Sequence, residues 1–274
     1  MRNYMIGLLL VLPALTVIAL LFILPMVMSG IGAFQLEGGN FGLGNFQKAF
    51  DLYAKDILFT VVIVSLSSAL VGIISVAIGG YLTLGGNPLA IAILRWLYRW
   101  PLFIPFIVVG QILRTFLSKS GLMNSTAVGL GLISPIDTTS FLDWRGIVFA
   151  FVWKQTPFVA MLVAGAMASI NRDNIEAARN LGAGRLRILV EILVPQVAVT
   201  LTVGLVLSFV TMMSVLSVPM MINAQSPTML TADIAFRVNA YGDYGVANAL
   251  GIISLVLACS VAWIYLRQNL KARA

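Results

Sequence analysis

Residues 174–195 read NIEAARNLGAGRLRILVEILVP, and this charged, glycine-interrupted stretch lies between two long apolar runs. The runs on either side, at about 144–169 and 192–223, are long enough to cross a bilayer, which takes about 20 residues per helix. Four of the 17 lysine and arginine residues lie in or beside the stretch, namely Arg172, Arg179, Arg185 and Arg187. The sequence therefore predicts a short polar connection between two transmembrane helices.

The whole chain repeats this alternation of long apolar runs and short polar connections. Of its 274 residues, 60% are hydrophobic and 10% are charged, whereas soluble domains carry about 25% charged residues. The alternation with a period of two residues that is typical of outer-membrane barrel strands is absent. We therefore predict an all-α membrane protein with one domain over residues 1–274. Its six spans are predicted at about 6–33, 57–84, 95–118, 144–169, 192–223 and 245–267.

The distribution of basic residues predicts how the chain is oriented. If the N-terminus is inside, the inner segments hold ten lysines and arginines and the outer segments hold five. Cytoplasmic loops are enriched in such residues, so both termini and the 174–195 stretch are predicted to be cytoplasmic. This topology also explains the net charge of +7 without a nucleic-acid partner, and we predict none.

The residues needed for most catalytic and metal sites are missing. The chain has no histidine and one cysteine, Cys259, which excludes a Cys/His metal site and makes a histidine-dependent triad improbable. No P-loop motif occurs, so the chain is not expected to bind ATP in that manner. A membrane-embedded enzyme or a passive channel is the alternative class, but it predicts clustered acidic residues or histidines within the spans, and these are almost absent.

The polar connection has the pattern of a short amphipathic helix. Asp173 and Glu176 form a capping-box-like pair, and residues 182–184 end the helix with two glycines. The pattern alone fits a helix lying on lipid head groups or a helix that docks on a partner. Small residues favour docking because they let another surface approach closely. One predicted inner face carries Ile175, Ala178 and Leu181, and the small residues are Ala177, Ala178, Gly182 and Ala183.

This segment resembles the EAA loop of the permeases of binding-protein-dependent ABC importers of type I. The pattern is Glu-Ala-Ala at 176–178, three further residues, Gly182-Ala183, and Pro195 about a dozen residues later. Trp153, the pair at 157–158 and the residues at 241–245 before the last span also resemble this family. The departures are Val194, Gly184 and Val199, which blur the subfamily rather than the family.

The resemblance implies the six-helix type I permease fold, in a bacterial cytoplasmic (inner) membrane. It implies that residues 170–191 are a cytoplasmic coupling loop that docks on a dimer of ABC ATPases, which would bind ATP and Mg. It also implies a second homologous permease, in a heterodimer, and an extracytoplasmic solute-binding protein. No cofactor is expected in this chain. The expected coupling residues are Glu176, Ala177, Ala178, Arg179, Gly182 and Ala183.

Polar residues within the spans are the candidates for the solute pathway, since charge is costly there. They are Lys154 and Gln155 in the fourth span, and Thr211, Ser214 and Ser217 at a spacing of three in the fifth. Each has an alternative: Lys154 can snorkel or bond to another helix, and the hydroxyls can bond to neighbouring helices. The chain resembles polyamine, phosphonate, iron and thiamine permeases more than maltose-type sugar permeases, the runner-up. A polyamine or another small charged solute or ion is therefore expected, although Lys154 mildly disfavours a polycation.

Overall fold

The structure is a computed structural model that describes residues 11–36, 38–223 and 225–271, with side chains up to residue 263. Its regular elements are helical, as the long apolar runs predict. The helices are α1 (Val11–Phe34), α2 (Gly44–Leu84), α3 (Pro88–Leu97), α4 (Phe106–Leu117), α5 (Leu122–Gly129), α6 (Trp144–Ala168), α7 (Arg172–Asn180), α8 (Arg185–Ser214), α9 (Ser217–Ile222), α10 (Leu230–Phe236) and α11 (Tyr244–Lys271).

Within the described residues, α1, α2, α6, α8 and α11 are each long and apolar enough to cross a membrane. The segments Pro88–Phe103 and Phe106–Gly129 form a further pair that is bent by 105°. Together they account for the six predicted spans and confirm the all-α membrane fold. The cytoplasmic location of the termini and the single domain over residues 1–274 stay predictions.

Three predicted spans have different bounds in the structure. α2 begins at Gly44 rather than near residue 57, because Ala49 and Asp56, seven residues apart on one helical face, are buried by packing. The third span begins at Pro88 rather than near residue 95, and it is interrupted, as its Pro101 and Pro105 predict. The break lies before Pro105, whose ring disfavours a helical conformation for Ile104. The fifth span ends at Ser214, where Val215 is extended and α9 follows as a separate helix.

The chain divides into two compact units, one formed by residues up to Lys55 with Asp233–Leu257, and one by Asp56–Ala232 with residues from Ala258 onward. In the first unit, Ser29 on α1 donates a hydrogen bond of 2.9 Å to Asn248 on α11. Arg237 bonds to the Tyr53 hydroxyl and forms an ion pair of 3.4 Å with Asp243. These polar contacts tie the segment after α10 to the first part of α2.

In the second unit, one apolar core joins α2, α6, α7 and α8. Small residues bring these helices close together, as is usual in membrane bundles. A Cβ on Gly79 of α2 would lie 3.1 Å from side-chain atoms of Val163 and Met167 on α6. Gly204 of α8 faces Val159 and Leu162 in the same way, at 3.3–3.4 Å. The core includes Val71, Val159, Val163, Met167, Ile175, Ile188, Leu193 and Val197.

Candidate functional site: the α7 connection and a cavity beside Lys154

The polar connection predicted from the sequence folds as α7, and its start differs from the prediction. Asn171 is the N-cap residue, and its side chain accepts a hydrogen bond of 3.0 Å from the backbone N–H of Asp173. The predicted capping by Asp173 is therefore wrong. Asp173 lies in the first turn instead, where its negative charge interacts favourably with the helix dipole.

One face of α7 is anchored in the core of its unit. Ile175 is buried, at 6% exposed, and Ala178 packs against the same core from the next turn. Leu181, the predicted third member of this face, is 89% exposed. That part of the prediction is wrong because α7 ends at Asn180, so the helical spacing does not continue to Leu181.

The end of α7 is a Schellman turn centred on Gly182. The N–H of Gly182 donates to the carbonyl of Arg179 at 2.9 Å, and the N–H of Ala183 donates to that of Ala178 at 3.0 Å. This pair of bonds places the residue after the C-cap in the left-handed region, which glycine adopts most easily. Gly182 has φ +81° accordingly. The turn fixes the direction in which α8 leaves α7.

Most of the other predicted coupling residues are on the surface. Glu176, Ala177 and Arg179 are exposed, whereas Ala183 is half-buried and packs against the core. Two leucines next to them, Leu181 and Leu186, are also exposed, the second at 74%. Neither leucine was predicted to be exposed, although their position beside two glycines and two arginines was a signal. The exposed surface of α7 and the turn after it therefore includes small side chains and two exposed leucines.

Lys154 on α6 is bonded to the broken segment that precedes α4. Its ammonium group donates to the carbonyl oxygens of Pro101 and Leu102, each at 2.8 Å. The nitrogen also lies 5.5 Å from the centre of the Phe106 ring. The break before Pro105 interrupts the helical hydrogen bonding of this segment. Lys154 supplies a donor to the carbonyl of Leu102 and a second donor to that of Pro101, which also accepts from the backbone N–H of Ile104 at 3.3 Å.

A cavity of about 490 Å³ lies beside Lys154, between the Leu102–Phe106 segment, α6 and α8. Its lining is mostly apolar, with Phe106, Phe158 and Leu207, and its polar members are Lys154, Gln155 and Thr211. Gln155 is 6% exposed, and its Nε2 group has no hydrogen-bond partner among the described residues. Leaving such a donor unpaired costs about 1–3 kcal/mol, so a solute oxygen that reached it would be bound favourably.

The structure separates the three hydroxyl residues of the predicted polar face. Thr211 lines the cavity, and its hydroxyl donates to the carbonyl of Leu207 at 2.8 Å. Ser214 ends α8 and donates to Val210, while Ser217 begins α9. The prediction of one continuous face is wrong because the helix breaks between them.

Two further polar residues lie here that were not among the predicted pathway residues. Ser208 on α8 and Thr156 on α6 are buried, and neither hydroxyl oxygen has a partner among the described residues. Gly204 packs on Val159 and Leu162, and α8 and α6 run in opposite directions here. Ser208, one turn beyond Gly204, therefore lies at the level of Gln155 and Thr156. Isolated hydroxyl residues in apolar helices are too common for the pattern to have identified them.

Comparisons with known proteins agree with the six-span architecture. The family model described as "Binding-protein-dependent transport system inner membrane component" matches residues 3–273. The trehalose/maltose transport system permease protein MalF of Thermococcus litoralis is 28% identical, over 97% of this chain and 94% of its own. The putative 2-aminoethylphosphonate transport system permease protein PhnU of Salmonella typhimurium is 24% identical, over 92% and 88%.

A solved structure shows the same fold. A chain of a bacterial ABC transporter involved in the import of the acidic polysaccharide alginate superposes with a TM-score of 0.79. The superposition covers 98% of this chain and 96% of that chain, at 20% sequence identity.

Proposed function

Since the chain belongs to the family of binding-protein-dependent transport system inner membrane components and is a permease subunit of an ABC importer, we propose that it passes a small solute across the membrane by alternating access. A separate ATPase dimer supplies the energy, and an extracytoplasmic binding protein delivers the solute. A second permease, in a heterodimer, completes the pathway in a bacterial inner membrane. Family membership favours this function over a membrane-embedded enzyme or a passive channel.

The coupling element is α7 with the turn that follows it. Its inner face is held in the core by Ile175, while Glu176 and Arg179 are exposed. A helix that is anchored on one side transmits a push from its other side to the helices behind it. Leu181 and Leu186 supply apolar surface for the ATPase, and Gly182 keeps the connection to α8 short and stiff.

The solute pathway passes through the cavity beside Lys154, and the observation that carries this proposal is the unpaired Nε2 group of Gln155. This donor is buried beside the cavity, and we expect it to bind an acceptor oxygen of the solute when the side chain turns toward the cavity. Lys154 mainly holds the segment before Pro105 against α6, because two of its three donor protons already bind the carbonyls of Pro101 and Leu102. Phe106 and Phe158 add flat apolar walls of the kind that suit a ring or a carbon chain.

The solute class that fits these groups is rich in acceptor oxygens, such as a saccharide or an oxyanion. The relatives reported above are named for sugars and for a phosphonate, and both kinds of solute carry such oxygens. A polyamine, expected from the sequence resemblance, offers donors and positive charge to a cavity whose free polar group is itself a donor. We therefore place saccharides and oxyanions before polyamines.

The test is ATP-driven uptake by the complete transporter in proteoliposomes. The two permeases, the ATPase dimer and the binding protein are reconstituted and offered trehalose, maltose, 2-aminoethylphosphonate or spermidine. We expect uptake of an oxygen-rich solute and stimulation of ATP hydrolysis by the loaded binding protein. Uptake of spermidine alone would refute the proposed solute class. Uptake without ATP would refute the importer mechanism.

A further inference from the structure

A second cavity, of about 660 Å³, lies where α7 meets the ends of α2, α3 and α6. Four arginines line it, Arg95, Arg99, Arg172 and Arg179, and Glu176 is the one carboxylate in the lining. Within the described part of the chain, none of the four guanidinium groups forms an ion pair, and Arg99 bonds to the hydroxyl of Tyr98 at 3.2 Å. The cavity therefore carries an excess of three positive charges without a protein counter-ion.

An apolar groove adjoins this cavity and shares two of its arginines. Arg95 and Arg99 also line a concave surface formed by Trp96, Trp100 and Phe103. The two indole rings are stacked in a tilted arrangement, with centroids 4.6 Å apart, and Phe103 is 81% exposed. A basic cavity and an aromatic groove thus lie on the two sides of the same pair of arginines.

The helix that carries this pair has the surface of a helix lying at the edge of a bilayer. Leu89, Ile93, Trp96 and Leu97 are all more than half exposed. Their spacing of four, three and one residues places them on one face of α3. Tryptophan and arginine are typical of helices at the level of lipid head groups, with the apolar face turned toward acyl chains.

We propose that the cavity and groove together bind one anionic phospholipid. The head-group phosphate lies in the cavity between the arginines, whose planar groups bind phosphate oxygens in pairs. The acyl chains run along Trp96, Trp100 and Phe103. Charge complementarity favours an anionic lipid over a zwitterionic one. A zwitterionic head group would bring its own cation into a cavity that already has an excess of positive charge. Basic cavities between transmembrane helices on the cytoplasmic side are known places for anionic head groups.

This site has a consequence for α7. Arg172 and Arg179 belong to α7, whereas Arg95 and Arg99 belong to the segment before the break at Pro105. A phosphate bound by both pairs draws α7 toward the bent segment. The lipid then sets the resting position of α7, whatever solute the transporter carries.

The test is native mass spectrometry of the complete transporter, released from membranes that contain equal amounts of phosphatidylglycerol and phosphatidylcholine. We expect the wild-type complex to retain phosphatidylglycerol at least tenfold over phosphatidylcholine. The double variant Arg95→Gln/Arg99→Gln is expected to lose this preference. The matched control, Arg185→Gln/Arg187→Gln, removes the same charge from the α7–α8 connection, outside the cavity, and is expected to keep it.

Further variants separate the parts of the site. Trp96→Ala/Trp100→Ala is expected to lower the retention of phosphatidylglycerol several-fold, and Arg95→Lys/Arg99→Lys is expected to retain it above the level of phosphatidylcholine. If the Arg95→Gln/Arg99→Gln complex does not assemble, these two variants test the lipid site in its place. Glycerol 3-phosphate at millimolar concentration is not expected to displace the lipid.

Three results would overturn the proposal. The first is equal retention of the two lipids by the wild type. The second is unchanged retention of phosphatidylglycerol in both Trp96→Ala/Trp100→Ala and Arg95→Gln/Arg99→Gln. The third is displacement of the lipid by glycerol 3-phosphate, which would make the cavity a site for soluble anions.

Discussion

The ammonium nitrogen of Lys154 lies 2.8 Å from the carbonyl oxygen of Pro101, and at the same distance from that of Leu102. This half-buried charge on an apolar helix is thus bound to two carbonyls of the segment that precedes the break at Pro105. This contact links α6, which leads directly to α7, with the bent segment that leads to α4. We therefore expect a movement of α7, the proposed coupling helix, to be transmitted to the bend.

Lys154→Met tests this connection. The substitution removes the Lys154 donors from both carbonyl oxygens and leaves that of Leu102 unpaired in an apolar surrounding, while Ile104 still donates to that of Pro101. We expect the transporter to lose about 1–3 kcal/mol of stability. Thermal unfolding of the purified complex, together with ATPase stimulation by the loaded binding protein, measures the effect. Lys119→Met is the control, because Lys119 is exposed in the connection between α4 and α5. Wild-type stability and stimulation in Lys154→Met would show that the contact is dispensable.

Gln155→Leu separates solute binding from folding. Leucine has a similar size and removes a buried donor that has no partner, so the unfolding temperature is expected to stay level or rise. Uptake is expected to fall about tenfold, the equivalent of about 1.4 kcal/mol for one lost hydrogen bond. Gln111→Leu, on the exposed surface of α4, is the matched control. Equal uptake by the two variants would place the solute elsewhere.

Gly182→Ala and Gly184→Ala form a pair that tests the turn after α7. A Cβ would meet no atom within 4 Å at either position, but only Gly182 has a positive φ, of +81°. Alanine there costs about 1–2 kcal/mol of local conformational energy. We expect Gly182→Ala to insert into the membrane, yet lose uptake and ATPase stimulation. Gly184→Ala, at φ −70°, is expected to behave as wild type. The same phenotype in both variants would contradict a role for the turn.

Leu181→Ser/Leu186→Ser tests the apolar surface beside α7. Both leucines are exposed in this chain, so the permease itself is expected to keep its stability. Co-purification of the ATPase with the permease is expected to decrease, since apolar contact area is lost from their interface. Ile175→Ser provides the contrast, because it places a hydroxyl in the core and is expected to destabilise the permease. Undiminished co-purification would show that the ATPase does not cover these leucines.

Much of the architecture could be predicted because the bilayer restricts it strongly. Backbone groups within a membrane must be satisfied internally, so long apolar runs predict helices with few alternatives. The polar connection at 174–195 was recognised by local spacing, and its glycine turn depends on neighbouring residues alone. The bounds near residues 57 and 223 were less predictable, because they depend on packing at Ala49 and on the extended backbone at Val215.

The sequence by itself determined the class of protein and its family, because the positions of apolar runs, glycines and the Glu-Ala-Ala segment are local properties of the chain. Only the tertiary structure decided which polar groups have partners. It paired Lys154 with two carbonyls distant in the sequence, left Gln155 unpaired in a cavity, and brought two arginines of α7 beside Arg95 and Arg99. These relationships depend on how separate helices pack, which the spacing of residues along one helix does not specify.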